Sequence, residues 1–242
     1  MANIAFAQEI TLDKIYSGYY RGKGISGIAS LKDGEEENLR QGIKFLEELG
    51  LKVKQADNLY DREELFSGAG TWLPGGAEKR VESMMKLWSD TGVHALLSMR
   101  GGYGCVHLLD RLDYSYMGKQ PKPLLGYSDL TTLFCALYTQ AYKSKIELFH
   151  TPMLLELSKL NSRSRDSFIN MLSCIDYEAY ADYDWRINSA DHKVLGGNLT
   201  NISSLVGTKY LPEFKGSVLF LEDCKEQAYK LDRMFYQLEM AG

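Results

Sequence analysis

The stretch PLLGYSDLTTLFCALY, residues 123–138, decides how this sequence folds, because its hydrophobic pattern changes within a few residues. Residues 123–127 form a short apolar run typical of a buried strand, and residues 129–142 carry apolar side chains at helical spacing. Ser128 is the small polar residue between the two. The stretch therefore predicts a strand, a sharp turn and a helix, with Ser128 on the turn.

Ser128 has two interpretations at such a turn. A serine at the start of a helix can cap it by accepting a hydrogen bond from a first-turn amide. Alternatively, a strand-turn-helix can raise a nucleophilic hydroxyl above the edge of a sheet. The usual Gly-x-Ser-x-Gly pattern is only half met, because GYSDL (126–130) has the first glycine and not the second. The local pattern leaves both interpretations open.

Working outward from this stretch, strand patterns alternate with helix patterns along most of the chain. The predicted strands are 51–56, 93–99, 123–127 and 145–150, and the predicted helices are 33–50, 77–90, 106–112 and 129–142. This alternation is typical of βαβ units and predicts an α/β fold, a mostly parallel sheet with flanking helices of the Rossmann or flavodoxin type. Ligands bind such sheets at the carboxyl ends of the strands, where Ser128 falls.

Periodicity and composition divide the chain into two predicted domains. Residues 23–160 hold the alternating strands and helices, and residues 161–182 are mixed and polar, as in a segment that links domains. Residues 183–242 predict a smaller α/β domain, incomplete at its end, with a last helix at 227–242. That helix is expected to expose an apolar face formed by Leu231, Met234, Phe235 and Leu238.

The glycine-rich loop RGGYG (100–104) follows the predicted strand 93–99. Its glycines can simply permit a tight turn with positive φ. Alternatively, their bare amides can face negative charge, as donors of an oxyanion hole beside Ser128. The loop matches neither GxGxxG nor GxxxxGK[ST], so it predicts no phosphate site.

Two carboxylates end a further predicted strand, in the sequence FLED (220–223). Such residues are most often solvated, but Glu222 can instead orient a histidine as the acid of a Ser-His-acid triad. The histidines of the chain are His94, His107, His150 and His192. His150 ends a predicted strand at the ligand-binding edge of the sheet, yet a histidine there is more often structural.

The composition limits the classes of function. The net charge is −4 without a run of basic residues, which argues against nucleic acid or an anionic membrane as partner. The four cysteines include no CxxC pair and no HExxH motif occurs, so no metal site is predicted. The sequence has no apolar span of 18 residues and no basic segment of a secretion signal. We therefore expect a cytoplasmic protein without a cofactor.

Five segments together resemble the LD-carboxypeptidases, serine peptidases that include murein tetrapeptide carboxypeptidases and microcin C self-immunity peptidases. The segments are SMRGGYGCVHLLDRLDY (98–114), KPLLGYSDLTTLFCALY (122–138), FHTPML (149–154), VLGGNLTNISSLVGT (194–208) and GSVLFLEDCKEQAYKLDRMFYQLEMAG (216–242). Each segment is loose alone, but their order is that of the family. The resemblance implies a parallel-sheet domain, a smaller C-terminal domain and cleavage of the amide bond before a terminal D-amino acid, typically D-alanine of a muropeptide tetrapeptide.

The resemblance also implies roles for particular residues. Ser128 is expected to be the nucleophile and Glu222 the acid of the triad, 94 residues apart (222 − 128). The expected oxyanion donors are the backbone amides of Asp129, Gly101 and Gly102, and the expected substrate-binding residues are Arg100 and Tyr103. The family further implies a homodimer that acts on a small peptide in cytoplasmic peptidoglycan recycling or in resistance to a peptide antibiotic.

The sequence departs from the family at the base of the triad. The family's catalytic histidine lies several tens of residues beyond the helix at 227–242 and has no counterpart in these 242 residues. His150 matches a different family histidine, in an HGP motif whose glycine is Thr151 here. A serine without its base is a weak nucleophile, so we expect this chain by itself to be nearly inactive. The alternatives are a non-catalytic muropeptide-binding protein, a truncated homologue and a microcin C resistance peptidase.

Overall fold

The computed structural model describes residues 21–22, 24–25, 34–59, 61, 63–64, 72–73, 75–141, 144–173 and 193–242. His192, residue 23 and the predictions for 174–192 lie outside the described residues. The strands are β1 (Arg21–Gly22), β2 (Gly24–Ile25), β3 (Lys52–Val53), β4 (Glu63–Glu64), β5 (Trp72–Leu73), β6 (Leu96–Ser98), β7 (Leu124–Gly126), β8 (Leu148–His150), β9 (Lys193–Asn198) and β10 (Ser217–Glu222). The α-helices are α1 (Glu36–Glu48), α2 (Ala77–Ser89), α3 (Tyr114–Lys119), α4 (Leu130–Gln140), α5 (Ser162–Leu172), α6 (Leu199–Ser204) and α7 (Ala228–Ala241). The 3₁₀ helices cover Cys105–Arg111 and Leu154–Lys159.

A four-stranded parallel sheet in the order β2-β6-β7-β8 forms the centre of the described part of the chain. All residues of β6 and β7 are buried, which explains why their sequences are continuous apolar runs rather than alternating ones. β1 pairs in parallel with β3, and β4 pairs with β5 in an antiparallel ladder. The predicted α/β fold, a parallel sheet with flanking helices, is therefore confirmed.

Successive residues of the two central strands point to opposite faces of the sheet, and each face has its own core. Leu96 and Leu124 belong to a core that includes residues of α2 and α4. Leu97 and Leu125 belong to a second core that includes residues of α1 and α5. Helices thus cover both faces, and the carboxyl ends of β6, β7 and β8 lie together at one edge.

The helix predicted at 106–112 forms instead as the 3₁₀ helix Cys105–Arg111. It begins after Gly104, which has a φ of 125°, and it ends shortly before Asp113. The Asp113 side chain accepts a hydrogen bond from Tyr116 N at 2.9 Å and caps α3. The segment between these two fixed points is a short connector, where the tighter 3₁₀ form is common.

The first part of the predicted linking segment 161–182 is the helix α5. Its Phe168 packs on Phe45 of α1, with ring centroids 6.1 Å apart, in the second core. A helix in that core packs as part of the N-terminal sheet domain rather than as a free connection. The domain boundaries at 160 and 183 stay predictions.

The C-terminal unit, residues 193–242, consists of the parallel pair β9-β10 with α6 and α7. Its outer part is sparsely packed, since α7 contains no buried residue. On α7, Phe235 is 51% exposed, whereas Leu231, Met234 and Leu238 are half-buried. The predicted apolar face is therefore only partly exposed.

Candidate active site

Ser128 occupies the turn between β7 and α4 with a backbone φ of 63°. A residue with a side chain rarely adopts this left-handed conformation, which costs about 1–3 kcal/mol and persists only where the surrounding structure enforces it. Such strain occurs preferentially at functional sites. The N-cap of α4 is Asp129, one residue later, and the Asp129 side chain makes no capping bond. Ser128 is therefore not the residue that caps α4 in this structure.

Gly126 makes this turn possible, because a side chain would not fit where β7 ends. Its φ is 148°, and a Cβ atom there would lie 2.7 Å from Leu130 Cδ2 and 2.9 Å from Ser98 Cβ. The neighbouring strand and the first turn of α4 therefore press against the backbone just before Ser128. The first glycine of GYSD has a steric reason in this fold.

The glycine loop, residues 100–104, reaches Ser128 from the end of the neighbouring strand β6. A Cβ atom on Gly101 would lie 2.9 Å from Ser128 Oγ and 3.0 Å from Ser128 Cβ, so this approach requires a glycine. The start of the loop is held by Ser98 Oγ, which donates to Arg100 O at 3.1 Å. The order of the predicted strands made it possible that the glycine loop lies beside Ser128, and in the structure it does. Backbone amides so close to a hydroxyl can stabilise an oxyanion formed there.

Gly102 and Tyr103 of the loop are exposed to solvent, and Arg100 is partly buried. Arg100 Nη1 lies 3.4 Å from Glu35 Oε2, and such a long, partly solvated ion pair is weak. Tyr103 is 51% exposed, and its ring meets that of His107 edge-on with centroids 5.6 Å apart. A cation and an aromatic ring thus border the loop where a ligand could contact them.

Asp129 has an inward-facing side chain that the sequence did not reveal. It is 2% exposed, and its Oδ2 accepts a hydrogen bond from Cys105 N at 2.8 Å. Burial raises the pKa of this carboxyl, while the bond from Cys105 and the charge of Arg80 oppose that rise. The carboxylate therefore connects the start of α4 to the end of the glycine loop.

Glu222 ends β10 in register with Asn198 of β9. Burial raises the pKa of its carboxyl, a hydrogen bond with the Asn198 side chain opposes this, and the charge of Asp223 adds to it. Glu222 Oε1 is buried and has no hydrogen-bond partner among the described residues. Leaving a buried acceptor unpaired costs free energy, so this oxygen is suited to receive a donor from a further group.

Asp223, the second carboxylate of FLED, has a structural contact instead. Its Oδ2 accepts hydrogen bonds from Thr200 N at 3.0 Å and from Thr200 Oγ1 at 2.7 Å, at the start of α6. The two adjacent carboxylates therefore differ, since Asp223 is satisfied by its own unit while Glu222 keeps an unpaired oxygen.

One direct contact between α4 and β9 joins the helix that follows Ser128 to the C-terminal unit. A Cβ atom on Gly197 would lie 2.5 Å from Thr131 Oγ1, so the strand packs closely on the helix. Asn198 N donates to the same hydroxyl oxygen at 3.0 Å, in a buried position. The Gly-Gly pair before Asn198 is the sequence signal that could have indicated this close approach.

Three aromatic rings in tilted and edge-on contact form a second connection. The Tyr127 and His150 rings have centroids 5.5 Å apart, and the His150 and Phe220 rings 5.1 Å. Tyr127 precedes Ser128, and Phe220 lies on the same side of β10 as Glu222. Burial lowers the pKa of His150, which favours its neutral ring. His150 thus spans the space between the two halves of the site.

Within the described ranges, no group of three His, Cys, Asp or Glu side chains is arranged to hold a metal ion. None of the helices found there is both long enough and apolar enough to cross a membrane.

Two family models match this chain: the LD-carboxypeptidase N-terminal domain over residues 24–150 and the LD-carboxypeptidase C-terminal domain over 192–242. A probable murein peptide carboxypeptidase of Bacillus subtilis (strain 168) is 28% identical over 229 residues, which cover 92% of this chain and 69% of the relative. The murein tetrapeptide carboxypeptidase of Pseudomonas aeruginosa is 32% identical over 183 residues, covering 69% of this chain and 57% of that one.

Among solved structures, an MccF-like protein from Bacillus anthracis str. Ames has a TM-score of 0.74 at 25% sequence identity. The match covers 90% of this chain and 73% of that one. This chain therefore spans between 57% and 73% of the length of these three proteins.

Proposed function

Because this chain belongs to the LD-carboxypeptidase family, we propose that it carries the nucleophile and the acid of a serine carboxypeptidase that removes terminal D-alanine from muropeptide tetrapeptides. The observation that carries the proposal is the strained turn at Ser128, with Gly101 packed against its hydroxyl. A serine raised in this way beside bare amides is the arrangement that acyl transfer needs.

The proposed reaction is acyl transfer in two steps. Ser128 Oγ attacks the carbonyl carbon of the amide bond, and the oxyanion accepts hydrogen bonds from the amides of Asp129, Gly101 and Gly102. The C–N bond then breaks, the departing amine of D-alanine takes a proton, and water hydrolyses the ester on Ser128. Glu222 orients the base that accepts the serine proton, through the oxygen that has no partner in the described structure. The family resemblance implies a histidine as this base.

Substrate binding is assigned to Arg100 and Tyr103, which border the glycine loop. The guanidinium of Arg100 suits the carboxylate of a peptide terminus, because it can donate two parallel hydrogen bonds. The exposed ring of Tyr103 offers an apolar surface to the peptide.

The decisive experiment measures release of D-alanine from a muropeptide tetrapeptide ending in L-lysyl-D-alanine, with and without added imidazole. We expect slow release that imidazole accelerates, because imidazole can accept the proton that the Ser128 hydroxyl loses. Ser128→Ala should abolish the part of the rate that imidazole adds, because the serine and its base act as a unit. The matched control is Ser89→Ala. Ser89 is an exposed serine on α2, and its hydroxyl donates a hydrogen bond to Lys86 O.

The outcomes separate the alternatives from one another. Turnover that survives Ser128→Ala contradicts the assigned nucleophile. Saturable muropeptide binding without any D-alanine release, in either condition, supports a non-catalytic binding protein instead. Labelling of Ser128 by a fluorophosphonate probe, read by peptide mass spectrometry, tests the hydroxyl independently of the substrate.

A second candidate is a peptidase that confers resistance to a microcin C type of antibiotic. The likeness that favours it is the TM-score of 0.74 with an MccF-like protein. Parallel digestion of microcin C and the tetrapeptide distinguishes the two, since the preferred substrate should be cleaved at the higher kcat/KM.

We further propose a cytoplasmic homodimer, on the basis of the family resemblance. Sedimentation velocity tests the dimer, and fractionation of cells that produce the protein tests the location. A monomer at micromolar concentration, or recovery outside the cytoplasm, contradicts the corresponding part.

A further inference from the structure

One peptide group at the end of the glycine loop is held from both sides by buried charged side chains. It is the group between Gly104 and Cys105. Arg80 Nη2 donates to Gly104 O at 3.0 Å, and Cys105 N donates to Asp129 Oδ2 at 2.8 Å. Arg80 is 0% exposed and Asp129 2%. Rotating this peptide plane would break two charge-assisted hydrogen bonds at once, so its orientation is fixed.

The side chains that hold this peptide come from different parts of the fold. Arg80 lies on α2, and Asp129 directly follows Ser128 at the start of α4. The end of the glycine loop is therefore tied to the turn that carries the nucleophile. At its other end, Gly101 lies against Ser128 Oγ. The loop is thus fixed relative to Ser128 at two points.

The burial of these charges indicates a positional role. Burial lowers the pKa of Arg80 and raises that of Asp129, while each charge favours the ionised form of the other. The neighbouring Cys105 thiol has a raised pKa, first because of burial and then because of Asp129, and stays neutral. Burying a charged side chain costs free energy even where it is hydrogen-bonded, so stability alone gives little reason for the burial of Arg80 and Asp129.

We propose that Arg80 and the Asp129 carboxylate position the glycine loop, so that the amides of Gly101 and Gly102 face the oxyanion formed at Ser128. This inference rests on the proposed function. Both side chains act as positioning residues, because their contacts are with the peptide between Gly104 and Cys105.

The test compares two ligands that differ only in the group at Ser128. One is a muropeptide tripeptide whose terminal carboxyl is replaced by a boronic acid, which forms a tetrahedral adduct with a serine hydroxyl. The other is the corresponding carboxamide, which binds without reacting. Asp129→Ala and Arg80→Met should each lower boronate affinity by about tenfold or more and carboxamide affinity by less than about threefold. Asp129→Asn keeps an acceptor for Cys105 N and should restore most of the boronate affinity.

The control variants each remove one hydrogen bond of the same kind from residues 107–116, which follow the glycine loop. Asp113 accepts from Tyr116 N at 2.9 Å, and Arg111 Nη1 donates to His107 O at 3.0 Å. Asp113→Ala and Arg111→Met remove the same kinds of bond away from Ser128, and both affinities should stay at the parent value. Thermal unfolding is measured for every variant. Where Asp129→Ala does not fold, Arg80→Met carries the comparison, and where Arg80→Met does not fold, Asp129→Ala carries it.

An equal loss of both affinities, or no loss of boronate affinity, overturns the positioning role. If the parent protein binds neither ligand, the proposed function is wrong. The position of the glycine loop is then tested without a ligand, by NMR. The ¹⁵N amide shifts of Gly101 and Gly102 should move in Asp129→Ala and return in Asp129→Asn. If these shifts stay fixed in Asp129→Ala, the inference is wrong whatever the protein binds.

Discussion

The two proposed catalytic side chains lie in regions that are packed very differently. Ser128 follows β7, whose residues are all buried, whereas β10, which carries Glu222, has no fully buried residue. A strained turn needs rigid surroundings, because its unfavourable φ would otherwise relax. A carboxylate needs only a few hydrogen bonds to hold it. The comparison indicates that the core sets the position of Ser128, while a few contacts set that of Glu222.

The largest expected effect comes from replacing one strand leucine by alanine in each region. Leu124 is 0% exposed on β7, and Leu219 is 39% exposed on β10. Leu124→Ala should lower the free energy of unfolding by about 2–5 kcal/mol, because it leaves a cavity in the core. Leu219→Ala should change it by less than about 1 kcal/mol. Urea denaturation measures both, and similar losses would show that the C-terminal unit is as firmly packed as the sheet.

An intermediate effect is expected where the two regions meet. Thr131→Val keeps the shape of the side chain but removes the acceptor of Asn198 N, and an unpaired buried amide costs about 1–3 kcal/mol. We expect faster hydrogen exchange in β9, with β6 and β7 unchanged, because one of the contacts between α4 and the C-terminal unit is weakened. The measurement is hydrogen–deuterium exchange followed by mass spectrometry.

The control for this variant is Thr139→Val, on the same helix. Thr139 Oγ1 donates to Cys135 O at 3.0 Å, and its removal leaves no buried amide unpaired. Its exchange pattern should match that of the parent protein. Equal exchange in β9 for both variants would contradict the importance of the Thr131 contact.

The sequence predicted the core of the molecule because periodicity reports burial directly. The apolar runs at 93–99 and 123–127 became β6 and β7. A topological rule made it possible that Ser128 and the glycine loop lie side by side, since neighbouring parallel strands end at the same edge. These inferences needed only local pattern and the order of elements.

The contacts that orient the site could not be predicted in this way. Arg80 lies 49 residues before Asp129 (129 − 80), and nothing in its helical pattern distinguishes it from a solvated arginine. Its burial, like the bond between Asp129 and Cys105, depends on how three elements pack. The polar sequence of 161–182 predicts a linking segment, and it gives no sign that Phe168 and Leu172 are buried in the helix Ser162–Leu172. Side-chain partners between distant elements are a property of the tertiary structure.

The smallest expected effect is the change in stability when the charge of Glu222 is removed. Burial raises its pKa above that of the unfolded chain, so the folded state disfavours the ionised form, and stability falls as pH rises between the two pKa values. Glu222→Gln removes the charge and should raise the melting temperature above the folded pKa. That gain should vanish as pH falls below the unfolded pKa, about 4.3. Differential scanning calorimetry from pH 3 to pH 8 measures it.

A substitution of the neighbouring Asp223 is the control that makes this test specific to Glu222. Asp223→Asn alters a carboxylate that Thr200 already satisfies, and it should give no such gain. A gain for Glu222→Gln that is the same at every pH would point to packing rather than charge. A loss at neutral pH would mean that the carboxylate is better satisfied than its unpaired oxygen indicates. A pH-dependent gain means instead that the lightly packed region retains a destabilising charge, as expected of a group held for catalysis.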